Sequence, residues 1–126
     1  MQSHPSPEQE VERAFAAFMT AFNSMDVQGL AECFAPDVTL FAPAGAADLI
    51  SGASAVCSHF QRVFAAEPAS GPGIQPLNLC VTKLSSEAAV VTFEFARAAQ
   101  SLGRRTVAFR RTEGHWWVVH IHASNR

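Results

Sequence analysis

At 126 residues and 13.5 kDa, with 48% hydrophobic and 16% charged residues, the chain is sized for one domain with its own core and is too apolar for disorder. A net charge of −2 argues against a nucleic-acid partner, and the local arginines (Arg104, Arg105, Arg110, Arg111) alternate between faces rather than forming a stripe. MQSHPSPEQE lacks the basic region and apolar run of a signal peptide, and no segment is long enough to cross a membrane, so a cytoplasmic protein is expected. Cys33, Cys57 and Cys80 are odd in number and lack metal-ligand spacing, which fits reduced, mostly buried thiols.

In chain order, Ser6-Pro7-Glu8-Gln9 is a helix start, with Ser6 as cap and Gln9 closing a capping box. Val11, Phe15, Phe18 and Phe22 then recur at helical steps, and the helix should run to Asn23 or Ser24. Asp26 caps a short second helix carrying Leu30, Cys33 and Phe34 and stopped by Pro36. Val38 to Phe41 reads as a strand, 43–47 as a loop of small residues, and Ala53 to Ala66 as a third helix with Val56, Phe60, Val63 and Phe64 buried. His59 shares part of that side and reads as a core histidine. Beyond the loop Glu67 to Gly73, four strands are expected: Ile74 to Leu84, Ala88 to Ala98, Arg104 to Arg111 and Trp116 to Ser124. Helices first and a strand meander after them is an α+β order.

The last two strands carry the functional clue. Glu113-Gly114 suits a two-residue hairpin turn, which pairs Thr112 with His115 and, by alternation, Phe109 with Val118, Val107 with His120 and Arg105 with His122. Those residues, Trp116 and Ser124 then share one face, while Thr106, Ala108, Arg110, Trp117, Val119 and Ile121 form a greasier one. A second hairpin closing with Ala99 opposite Arg104 puts Glu94 and Thr92 on the polar face, and Val91, Phe93 and Phe95 on the greasy one. A one-residue slip there would turn Glu94 to solvent and Phe93 and Phe95 inward. If helices cover one face, the other is too apolar to leave wet, so a homodimer packed through the sheet is expected.

The AFNSMD…GLAECFAPDV opening, the LISGASAVCSHFQRVF helix and the EGHWWVVHIHAS ending resemble the nuclear transport factor 2-like superfamily, in its SnoaL-like branch. The ending is similar also to the association domain of calcium/calmodulin-dependent kinases through Gly114, Trp116, His120, His122 and Ser124. The resemblance spans nearly all of 1–126, read as a single domain with 1–6 flexible. It implies a cone-shaped, curved antiparallel sheet wrapped around N-terminal helices (a cystatin-like roll), with an internal pocket and dimers through the convex face. The pocket arginines of the kinase domains fall on Glu94 and Val107, so that pattern is absent. The chain has no tyrosine, which excludes the Tyr-based oxyanion hole of ketosteroid isomerases and a Tyr-assisted dehydratase site.

Three roles for the polar end of this face stay open. His120 and His122 could be structural, hydrogen-bonded to hold the cone together. They could be general acid and base, oriented by Glu94, with Arg105 stabilising an oxyanion or holding a carboxylate. They could form a two-histidine, one-carboxylate metal set with Glu94, although no ordered ligand spacing supports it. The function expected is binding of a small apolar or amphipathic organic molecule, with His120, His122 and Glu94 as catalytic candidates. Arg105, Ser124, Trp116, Phe109, Val107 and Val118 would line the site, and no metal or cofactor is required. Cofactor-free isomerisation, cyclisation, or addition or removal of water would be the chemistry. A non-catalytic association or ligand-sensing module is the alternative.

Overall fold

The computed structural model describes residues 6–43 and 48–126; the expectations for 1–5 and 44–47 lie outside them. Helix α1 (Pro7–Asn23) begins as its signal implies. Ser6 Oγ accepts from the Gln9 amide at 3.2 Å, and the Ser6 amide donates back to Gln9 Oε1 at 2.8 Å. Asp26 caps α2 (Val27–Ala31) through the Gly29 amide. Strand β1 (Phe34–Phe41) begins earlier than expected and takes Pro36 into itself; a two-residue strand β2 (Ile50–Ser51) pairs with it before α3 (Ala53–Ala65). Strands β3 (Gln75–Ser85), β4 (Ala88–Arg97), β5 (Gln100–Thr112) and β6 (His115–Asn125) complete a curved, unclosed sheet in the order β2-β1-β6-β5-β4-β3. The sheet is mixed: β1 runs parallel to β6, and the other pairings are antiparallel. None of the helices among the described residues is long and apolar enough to cross a membrane.

The helices cover the concave face. The α1 stripe meets the sheet through Phe15 on Phe93 (5.0 Å, edge-on) and Phe22 on Phe95 (5.7 Å), while Phe22 also packs on Phe60 and Phe64 of α3. Such edge-on pairs add to the burial of their area. Asn23 ties the end of α1 to the chain entering β3, exchanging two hydrogen bonds with the Ile74 backbone at 2.8 and 2.9 Å. Trp116 is buried in the same core and donates from Nε1 to Glu10 Oε1 at 3.1 Å.

Two registers differ from those expected, each for a local reason. The β5–β6 hairpin starts as alternation dictates, with Thr112 opposite His115 and Phe109 opposite Val118. Then Val119 is left without a partner, and Ala108 faces His120, Val107 faces Ile121 and Arg105 faces Ala123. One extra residue is a β-bulge, and it inverts every side chain that follows. At the same level β1 advances from Phe34 to Thr39 while β6 advances only from Val118 to His120, so both strands bend together. The second hairpin turns at Ala98-Ala99, both with positive φ (52° and 64°), and Gln100 to Gly103 belong to β5 rather than to the turn. Alanine carries no signal for such a conformation. Glu94 consequently pairs with Arg104, and Phe93 with Arg105.

The expected faces are therefore corrected. Phe93, Phe95, Val91 and Ile121 belong to the core side, not to an outer wall. His120, His122 and Ser124 stand on the outer face with Thr106 and Arg104, as does Glu94.

Candidate functional site

Between α1, α3 and the concave face of β4, β5 and β6 lies an open cavity of about 430 Å³. Its body is apolar: Phe18, Met19, Phe22, Phe60, Phe93, Phe95, Val107 and Ile121. Its polar lining comes from His59 of α3, Glu67 after it, Arg97 of β4, Arg105 of β5, and Asn125 and Arg126 at the end of β6. Of the residues expected there, Arg105 and Val107 line it. Phe109, Val118 and Trp116 are instead buried in the core.

Arg105 is held from three sides. Its Nη1 donates to the Arg104 and Ser124 carbonyls at 3.0 and 2.9 Å, and its guanidinium carbon lies 4.0 Å from the Phe95 ring centroid, a cation–π geometry. Ser124 thus serves the site through its backbone, with its side chain on the other face. Burial lowers the Arg105 pKa from 12.5 to about 10, so the group stays charged at neutral pH. Among the described residues no carboxylate pairs with it.

The other two arginines of the lining are matched. Arg97 lies 3.5 Å from Glu67 Oε1 and donates from Nε to the Pro72 carbonyl at 2.7 Å. Arg126 donates to Glu94 Oε1 at 2.8 Å and to Ser101 Oγ at 2.9 Å. Glu94, also bonded by Asn78, is held below the ordinary carboxylate range by Asn78, then Arg126 and Ser101. It is an anchor for Arg126 rather than an orienter of His120 or His122.

His59, expected as a core histidine, also lines the cavity. Its helical spacing from Val56 and Val63 placed it on the buried side of α3, and that side faces the cavity as well as the core. Burial, and then the charge of Arg62, hold its pKa below the ordinary 6.5, so the imidazole is neutral at pH 7 and can accept a proton.

On the outer face, His120 Nδ1 lies 2.7 Å from Thr39 Oγ1, and its ring packs edge-on against Phe41, which also touches His122. This arrangement ties β6 to β1. Among the described residues no three His, Cys, Asp or Glu side chains converge as metal ligands, and the set of His120, His122 and Glu94 is not assembled. The cysteines are free: Cys33 and Cys57 are half-buried and Cys80 is exposed, contrary to the mostly buried expectation. Burial raises Cys33 and Cys57, with Glu32 adding to the rise at Cys33, which makes both poor nucleophiles.

A family model described as a SnoaL-like domain matches residues 11–125. The chain belongs to the SnoaL-like domain family. Its fold is shared with solved structures. A nuclear transport factor 2-like protein of unknown function from Pseudomonas putida is 25% identical, with a TM-score of 0.79, over 93% of this chain and 84% of that one. A candidate dehydratase of the same broad family from Streptomyces avermitilis is 18% identical, with a TM-score of 0.80, over 95% and 96%. A calcium/calmodulin-dependent kinase type II association-domain protein from Thiobacillus denitrificans is 19% identical, with a TM-score of 0.72, over 100% and 99%. No curated protein matches the chain significantly. Within the SnoaL-like fold, then, this cavity combines an apolar body with one unpaired guanidinium and one neutral imidazole.

Proposed function

We propose that this SnoaL-like domain binds a small, largely apolar organic molecule inside its cone and acts on it by cofactor-free acid–base chemistry. Isomerisation, cyclisation, or addition or removal of water are the reactions that such a site can run. The supporting observation is the open cavity itself, about 430 Å³ with Arg105 and His59 in its lining. That volume falls within the range of ligand pockets, about 300 to 1,000 Å³. In this reading neutral His59 takes a proton from carbon or water, and Arg105 holds the oxygen-bearing end of the ligand.

The neutral probe 2-naphthamide and the enolisable ketone 2-tetralone both suit such a cavity. Calorimetry should show naphthamide binding that is lost in Val63→Trp, which fills the space. Wild-type protein should speed exchange of the C1 protons of 2-tetralone into deuterated water, and His59→Gln should slow that exchange by about 100-fold. Binding without exchange would leave a ligand-sensing module; no binding of any probe would remove the reading.

We also propose that a second copy of the chain packs on the outer face of the sheet. Trp117, Val90 and Ala108 are half-buried there in the single chain, with Trp117 resting on His115 at 4.1 Å between ring centres.

A further inference from the structure

We infer that the molecule this cavity takes is an organic anion: a flat or aliphatic monocarboxylate whose charged end meets Arg105. The inference rests on the binding reading above and adds the charge and head group of the ligand.

Three guanidinium groups line the cavity, those of Arg97, Arg105 and Arg126, against the single carboxylate of Glu67. The excess is local, because the whole chain carries a net charge of −2. Arg97 is matched by Glu67 and Arg126 by Glu94, so of the three arginines in the lining Arg105 is the one with no carboxylate partner among the described residues. Two carbonyls take Nη1, and the guanidinium carbon lies over the Phe95 ring. Arg105 lines the cavity, and neither its Nε nor its Nη2 donates to another protein group among the described residues.

A half-buried cation without an anion costs stability, and only a partner that arrives from outside can offset that cost here. The fork geometry fits a carboxylate, which can accept two parallel hydrogen bonds. A dianionic phosphate would call for a second open cation, and the neighbouring arginines are already neutralised. The apolar body beyond Phe95 leaves room for about a dozen non-hydrogen atoms.

The matched probes 2-naphthoate and 2-naphthamide differ in charge but hardly in shape. At pH 7 the wild-type protein should bind the carboxylate about ten-fold or more tightly than the amide. Arg105→Lys should keep most of that preference. Arg105→Met should erase it, and should unfold in urea no earlier than wild type, because a desolvated charge has been removed. Equal binding of the two probes by the wild type overturns the anion inference and spares the binding reading; binding of neither overturns both. If Arg105→Met does not fold, Arg105 is a structural residue, and the ratio of affinities in the wild type and in Arg105→Lys still decides the charge of the ligand.

Discussion

The two halves of β6 obey different rules. From His115 to Val118 the strand follows its turn, and each side chain faces the way simple alternation requires. From His120 onward every side chain is reversed: Ile121 and Ala123 look into the cone, while His120, His122 and Ser124 look out. The residue between the halves is Val119, unpaired opposite β5. One inserted residue thus decides whether the site holds imidazoles or aliphatic carbon. It also bends β6 and β1 at one level, and that bend helps the sheet to curl around α1.

The sharpest test of this contrast is a pair of neighbouring alanine variants. Ile121→Ala removes a buried side chain and should cost about 2 to 4 kcal/mol in urea unfolding, whereas His122→Ala, exposed on the reversed face, should fall within about 0.5 kcal/mol of wild type. The opposite ranking would restore uninterrupted alternation. For the outer face, Trp117→Glu should weaken self-association by about 2 kcal/mol while the chain stays folded, as read by sedimentation across a concentration series. A wild-type monomer at micromolar concentration would remove the second copy. The smallest effect is a pH dependence on the cavity side. With its folded pKa below 6.5, His59 penalises the native state as pH falls through that value and protonation is forced on a half-buried ring. Above it the penalty is absent. His59→Gln should therefore flatten the acid limb of the stability profile and leave the neutral region alone.

Much of the fold was legible in the residues. The Ser6 capping box, the phenylalanine stripe of α1, the Asp26 cap and the Glu113-Gly114 turn each combine a residue type with a spacing that one local structure satisfies, and each stands where expected. The site was less legible, because it depends on parity, and parity is carried over many residues. Val119 is as good a strand residue paired as unpaired, so nothing in WWVVHIH marks the bulge. Ala98-Ala99 adopts a conformation that glycine or asparagine would have advertised, and the glycine nearby, Gly103, drew the turn to the wrong place. Arg105 kept its expected face because the errors fell on the strands to either side of it. His59 was passed over because one helical face served both the core and the cavity.

Gly103 has a further meaning. A methyl group there would sit 2.2 Å from the Ser124 carbonyl oxygen and 3.0 Å from Arg105 Nη1, within the hydrogen bond that steadies the guanidinium. The bare α-carbon is thus a clearance cut for the cation two positions along. Among relatives with this ending, Gly-x-Arg on the penultimate strand should be inherited or lost as a unit, and an arginine without its glycine would have to find another posture.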